Sequence, residues 1–377
     1  MKGFSNISYI QTGGRIMLIL LAFILVCILI LTGVILVYSP GKAKPFLDES
    51  GKTLEGSISE KLFVEINGVR QGMFIKSKNA ANPVLLYLHG GMPDYFLTEK
   101  YPTGLENYFT IVWWEQRGSG LSYNKAIPIS TMTPEQMISD TKEVTNYLRK
   151  RFGQEKIFLM AHSGGTFVGI QTATMYPELY HAYLGVAQIS NQLKSEILAY
   201  NFMLGQFRDK GDLKMVKKLE ACPVTLANGT PPAYSAIRDI AMHSLGIGTT
   251  HDMKSVISGI FFPSLKCQEY TLTEKVNMWV GKSRAGISIV WTQILATDLS
   301  KMVTELKIPV YFFEGIYDYT CSYAEAKSYF EILKAPMKGF YTFEKSAHSP
   351  FFEEPSKMQK IIMEDILTGA NNLADIK

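Results

Sequence analysis

Three side chains in this sequence have the types and the chain order that acyl transfer needs: Ser163, Asp318 and His348. A serine hydroxyl is a poor nucleophile near neutral pH. It needs an imidazole to take its proton and a carboxylate to hold that imidazole in one orientation. Ser163 stands in Ala161-His162-Ser163-Gly164-Gly165, between the apolar run Ile157-Phe158-Leu159-Met160 and a helix-like stretch, Thr166 to Met175. Small neighbours suit a sharp strand-to-helix turn that keeps the serine in a strained backbone conformation. Asp318 closes the run Glu314-Gly315-Ile316-Tyr317-Asp318 after one apolar stretch, and His348 follows the next, 30 residues later.

Competing residues fit less well. The loop after the strand that follows the serine helix offers Ser190-Asn191 and no carboxylate. Glu314 is expected to face solvent or pair with a base, and Glu344 lies too close to its strand to reach around. Of the six histidines, His89 and His162 are built into motifs, while His181, His243 and His251 are expected as surface or packed residues. An acyl-transfer intermediate also needs preorganised N–H donors for its oxyanion. The backbone of Gly164 supplies one, and the loop His89-Gly90-Gly91-Met92 the other, assigned to Gly91.

The elements that must position these groups alternate along the chain. Val84 to Leu88, Phe109 to Trp114, Ile157 to Met160, Tyr183 to Ile189, Ile308 to Phe313 and Gly339 to Phe343 read as strands separated by helix-length segments. Thr133-Pro134-Glu135 opens a helix that runs to Phe152-Gly153, with an N-cap and a first-turn proline. This alternation predicts a mostly parallel sheet flanked by helices, with function at the strand carboxyl ends. Leu62 to Ile66 and Val69 to Ile75 flank Asn67-Gly68, a strong hairpin signal.

The chain has 377 residues, 47% hydrophobic and 12% aromatic, enough for a large core; a net charge of +4 argues for no nucleic-acid surface. Ile16 to Tyr38 carries no charge over 23 residues. As a helix it would be about 34 Å long, enough to cross a hydrocarbon core of about 30 Å. It is too long for the apolar region of a cleaved signal peptide. Lys2 and Arg15 precede it and Lys42, Lys44 and Lys52 follow, a nearly balanced count; the short leading tail places the large domain outside the cytoplasm. Cys27, Cys222, Cys267 and Cys321 form neither a disulfide framework nor a metal-ligand spacing. Metal and cofactor motifs are absent: there is no P-loop, no Gly-x-Gly-x-x-Gly after a strand and no His-Glu-x-x-His.

Together, His89-Gly90-Gly91, Glu115-Gln116-Arg117-Gly118-Ser119-Gly120-Leu121-Ser122, the Ser163 turn, Asp318 and His348 resemble the α/β-hydrolase superfamily, and within it the proline iminopeptidase branch. The resemblance covers about residues 60 to 370. Against the branch pattern HGGPG, this chain has His89-Gly90-Gly91-Met92-Pro93; against DQRG it has Glu115; its serine turn is nearer that of esterases. The resemblance implies an α/β-hydrolase fold with a helical cap insertion, and cap glutamates that hold a substrate's free amine. Glu196, Glu220, Glu269 and Glu274 are the candidates. Cap aromatics Phe202, Phe207, Phe261, Phe262, Trp279 and Trp291 divide between core and substrate pocket.

The expected organisation is a tail and transmembrane helix (1–38), a linker (39–60), a first core part (61–190), the cap (191–300) and a second core part (301–377). The expected function is a membrane-anchored serine hydrolase working through an acyl-enzyme, a proline iminopeptidase-like aminopeptidase acting on a short peptide or other small molecule. A carboxylesterase of the same fold is the alternative, and a tethered non-catalytic sensor is a third reading.

Overall fold

The computed structural model of the chain describes residues 3–377; Lys2, counted above ahead of the apolar span, lies outside the described residues. The first helix, α1 (Gly3–Val37), includes an apolar stretch, Gly14–Val37, that is long enough to cross a membrane and stands clear of the rest of the chain. Eight strands follow in one sheet: β1 (Ile58–Ile66), β2 (Val69–Ser77), β3 (Val84–Leu88), β4 (Thr110–Glu115), β5 (Ile157–His162), β6 (Tyr180–Val186), β7 (Val310–Gly315) and β8 (Lys338–Phe343). Their order is β1-β2-β4-β3-β5-β6-β7-β8. β1 and β2 pair antiparallel through Asn67 and Gly68, whose φ angles of 47° and 73° are those the two-residue turn requires. β2 meets β4 antiparallel, and every later pairing is parallel.

Helices α2 (Pro134–Phe152) and α3 (Gly164–Met175) connect the central strands. Between β6 and β7 lie α4 (Gln192–Asp209), α5 (Leu213–Glu220), α6 (Pro232–Leu245), α7 (Phe262–Lys266), α8 (Leu272–Arg284), α9 (Ile287–Ala296) and α10 (Leu299–Met302), and α11 (Tyr323–Ile332) precedes β8. Alternate strand residues feed two cores. Leu86, Leu88, Leu159 and Phe312 pack with α2, α3 and α11; Leu85, Tyr87, Met160 and Phe313 pack against Phe351 and the C-terminal residues Met358 to Ile366. Burial on both faces explains why these strands read as unbroken apolar runs. Helices α4 to α6 enclose a core of their own around Tyr200, Phe207 and Tyr234. α8 and α9 instead pack onto the sheet cores through Met278, Ile287 and Val290.

Three details differ from the sequence expectation. β6 spans Tyr180–Val186 and not Tyr183 to Ile189, because Ala187, at φ 50°, turns the chain out of the sheet. β7 starts after Pro309, which has no N–H to donate, and continues through Glu314 and Gly315, which pair with Thr342 and Phe343. Glu314 therefore does not face solvent: it is fully buried, and its Oε1 accepts the Gln188 N–H at 2.8 Å. Third, β1 begins at Ile58, inside the stretch expected as a linker, and the residues before it are held against α8.

Candidate active site

Ser163 is the single residue between β5 and α3, with φ 54° and ψ −127°. That conformation costs about 1–3 kcal/mol for a residue with a side chain. The turn is fixed from both sides: Ser163 N–H donates to the Val186 carbonyl at 3.0 Å, and the Ser163 carbonyl accepts the Thr166 N–H at 2.8 Å. The loop after β3 must come very close. A Cβ on Gly90 would lie 2.7 Å from the Ser163 Cβ, so only glycine fits there. Gly91 and Gly164 share the cavity wall with Ser163, and a Cβ on Gly164 would stand 3.7 Å from the Gly91 nitrogen. Gly164 opens α3, where the first-turn N–H groups have no partner within the helix.

Asp318 and His348 reach the same edge from the ends of β7 and β8. His348 Nδ1 is 2.8 Å from Asp318 Oδ2, both side chains being buried. The other Asp318 oxygen accepts the backbone N–H groups of Thr320 (2.7 Å) and Cys321 (3.0 Å). With Nδ1–H donating to Asp318, His348 Nε2 is the acceptor left for the cavity that Ser163 lines. Burial, the largest influence, pushes the His348 pKa below its ordinary 6.5, against the opposing pull of Asp318. The imidazole is thus neutral and able to accept a proton near pH 7. No hydrogen bond joins Ser163 to His348 among the described residues, a looseness common in unliganded sites.

The His348 loop is tied down by Glu353, which no sequence pattern singles out, and by His162 of the serine turn. Glu353 Oε1 accepts the Ala347 N–H at 2.9 Å and Oε2 the His251 N–H at 2.6 Å; burial raises this carboxyl to about 7. His162, next to the serine, lies 2.8 Å from the His348 carbonyl through Nε2 and 3.3 Å from Asp94 Oδ2 through Nδ1. The Glu115-Gln116-Arg117 run is also structural. Gln116 donates to the His89 carbonyl (2.8 Å) and, through its backbone, to His89 Nε2 (3.1 Å). Burial lowers the His89 pKa to about 4, which keeps the ring neutral. Arg117 forms a two-point pair with buried Asp140, and Glu115 accepts the Tyr270 hydroxyl from the loop before α8.

The four candidate glutamates do not come to this cavity. Glu196 is paired with Arg238 at 2.7 and 2.8 Å and faces a neighbouring cleft. Glu220 makes an exposed pair with Arg208. Glu269 is buried against Lys76, and Glu274 completes a capping box with Thr271 at the start of α8. The carboxylate that lines the Ser163 cavity is Asp94, just past the His89-Gly90-Gly91 loop; its Oδ1 is buried without a hydrogen-bond partner. Arg238 and Lys282 add cationic groups, and Phe96, Leu97, Ile260, Ile287, Trp291 and Phe352 make the wall largely apolar. Of the six cap aromatics, only Trp291 lines the cavity. Phe207 belongs to the α4–α6 core, Phe202 stacks on Tyr319, and Phe261 and Phe262 are exposed.

Comparisons with known proteins agree with this fold. The family model described as serine aminopeptidase, S33, matches residues 83–203. The probable aminopeptidase YbaC of Bacillus subtilis (strain 168) is 30% identical over 299 residues, spanning 78% of this chain and 92% of that protein. Among solved structures, a proline iminopeptidase-related protein of Thermus thermophilus has a TM-score of 0.56 at 18% identity, over 82% of this chain and 98% of its own. The 2-hydroxy-6-oxo-6-phenylhexa-2,4-dienoate hydrolase of Rhodococcus sp. strain RHA1 has a TM-score of 0.53 at 16% identity, over 82% and 99%. At these identities the two structures share the fold.

Proposed function

Because the chain belongs to the serine aminopeptidase (S33) family and is an enzyme of the α/β-hydrolase fold, we propose that it is a membrane-anchored serine hydrolase with Ser163, His348 and Asp318 as its triad. The observation that carries this reading is the 2.8 Å His348–Asp318 pair, set beside a serine held at φ 54° on the same cavity. Ser163 Oγ attacks the substrate carbonyl while His348 Nε2 takes its proton, and Asp318 stabilises the imidazolium that forms. The oxyanion accepts from the Gly91 and Gly164 N–H groups. Collapse expels the leaving amine or alcohol, which carries away the proton from His348. Water, deprotonated by the same ring, then releases the acid and restores Ser163.

Residues 191–300 act as the cap, and α1 as the anchor, with the large domain on the outer side. For an aminopeptidase, Asp94 is the group suited to a substrate's free amine, since among the described residues it alone brings a carboxylate to the cavity wall. The apolar wall, and the absence of every candidate cap glutamate from it, favour the second reading, a carboxylesterase.

A fluorophosphonate probe should label the full-length protein in detergent, and Ser163→Ala should abolish the label. A label elsewhere, or none on folded protein, would favour the non-catalytic sensor. Paired substrates then separate the two enzyme readings. An aminopeptidase should lose at least about tenfold in kcat/KM when the amine is acetylated, and Asp94→Asn should lower the free-amine rate more than the blocked-substrate rate. Equal rates on free and blocked substrates would make the protein an esterase.

A further inference from the structure

The chain leaving α1 does not swing free. Lys275, a fully buried lysine on α8, donates from Nζ to the Tyr38 carbonyl (2.6 Å), to Ser39 Oγ (3.0 Å) and to the Leu265 carbonyl (2.6 Å). Gly41 N–H donates to the Gln268 carbonyl at 3.0 Å, Pro40 bridges Thr271, and Lys44 N–H donates to Glu269 Oε1 at 2.5 Å. Several contacts in a row thus fix the end of the apolar helix onto the cap, at the junction of α7 and α8. Where α1 leaves a bilayer, that junction has to lie at the bilayer surface.

The junction is also where the cap exposes apolar side chains. Ile257, Phe261, Phe262 and Val276 are 63%, 37%, 50% and 53% exposed. Val276 is next to Lys275 in sequence, and Phe262 is one helical turn from Leu265, whose carbonyl Lys275 also holds. The Phe261 ring centroid is 5.6 Å from that of Phe262 and 5.4 Å from that of Trp279, so these three aromatics are contiguous. Half-buried Trp279 donates its N–H to Ser264 at 3.0 Å, and the exposed Lys254 and Lys266 flank the segment. An apolar face with an aromatic and flanking lysines is the composition of a segment lying in the headgroup layer. The same segment reaches the chemistry: Ile260, buried on its other side, lines the Ser163 cavity.

We propose that the stretch 257–266, with Val276 and Trp279, is seated in the headgroup layer of the membrane that α1 crosses, and that the Ser163 cavity is loaded from that membrane. The substrates it fits are amphiphilic esters or amides whose apolar tail partitions into the bilayer. This proposal rests on α1 being an anchor, and adds the substrate class to the function argued above.

The test uses the full-length protein with Cys27→Ser, reconstituted in phosphatidylcholine–phosphatidylglycerol vesicles. Cys222, Cys267 and Cys321 are buried, so a cysteine placed at Phe262 carries the environment-sensitive fluorophore. A second label at Ile332, at the end of α11 toward the sheet edge opposite β1 and β2, is the control. Doxyl lipids should quench the label at 262 at least threefold more than the label at 332. Ile257→Ser with Phe262→Ser should raise KM at least about fivefold for a long-chain nitrophenyl ester held in vesicles. It should leave kcat, and the rate on soluble nitrophenyl acetate, unchanged. Equal quenching at the two sites, or an unchanged KM, in protein that resists alkaline carbonate extraction would overturn the membrane-facing cap and leave the anchor standing. Release by carbonate would overturn both.

Discussion

The carboxyl edge of the sheet and the helices above it obey different rules. At the edge, each group that matters is placed by backbone: Ser163 by a one-residue turn, Asp318 and His348 by loops at the ends of adjacent parallel strands, Gly90 by a contact that leaves no room for a Cβ. In the helices, side chains find their partners through space. Glu196 takes Arg238 from a helix 42 residues on, and Glu269, in the loop before α8, takes Lys76 from β2, 193 residues away. A local pattern encodes the first kind of placement, because turn, strand and loop are each set by a few consecutive residues. It cannot encode the second. A substitution at the edge should therefore damage catalysis and spare stability, whereas breaking a buried pair in the helices should above all cost stability.

The largest expected effect is at the edge. His348→Ala should lose about as much kcat as Ser163→Ala, and Asp318→Asn on the order of 10⁴-fold, because the amide favours the wrong imidazole tautomer. Unfolding midpoints in detergent should move little. With His348 as the proposed base, its lowered pKa should set the acid limit. kcat/KM should hold as pH falls through 6.5 and decline only below it, as the ring protonates. A decline that begins above pH 6.5 would show that His348 is not the base.

In the helices, Glu196 and Glu220 make a matched test. The Glu196 side chain is 1% exposed and its partner Arg238 16%; Glu220 and Arg208 are 50% and 56% exposed. Arg238→Ala leaves a buried carboxylate unpaired, which should destabilise the protein by about 3–5 kcal/mol. Glu220→Gln should stay within about 0.5 kcal/mol, since exposed pairs contribute little. Denaturant melts of both variants check the difference. Lysine at 238 should recover only part of the loss, as it cannot match the two-point contact.

The glycine loop shows the rule of the edge at a smaller scale. Gly90→Ala drives a methyl group into Ser163 and should lower kcat by about 10–100-fold, a loss of about 1.4–2.7 kcal/mol of barrier stabilisation. At Gly91 a Cβ meets nothing within 4 Å, so Gly91→Ala keeps its N–H and should remain within about threefold of wild type. The same contrast marks how much is legible in the sequence. The strands, the hairpin and the residues joined at the cavity all follow from runs and spacings. Glu353 under the His348 loop, Asp94 on the cavity wall and the burial of Glu314 do not. Their roles depend on what other segments bring, and a lone carboxylate looks alike in solvent and in a core. The stretch after α1 misleads for the same reason. Its Gly, Ser, Pro and Lys content suits a linker, and only Lys275 and Glu269, far along the chain, make it part of the body.

The last effect joins the two regions. Glu115, at the end of β4, accepts the Tyr270 hydroxyl from the loop before α8 and the Leu121 N–H from its own loop. Burial raises its pKa from 4.5 to about 8, only partly offset by those two bonds. Folding thus favours the protonated form. The stabilisation is complete below about pH 4.5, where the unfolded chain is protonated too, and fades as pH rises toward 8. Glutamine copies the neutral form, donating to Tyr270 and accepting from Leu121. Glu115→Gln should accordingly lie close to wild type near pH 5 and melt on the order of 10 °C higher at pH 8.5, at roughly 2–4 °C per kcal/mol. The gap has to open with rising pH, because only the wild-type side chain acquires a buried charge. If the two melting curves stayed parallel from pH 5 to 8.5, Glu115 would already be ionised in the folded protein. The tie between sheet edge and cap would then be an ionic hydrogen bond, and Tyr270→Phe should destabilise the protein by about 1.5–3 kcal/mol instead of about 1.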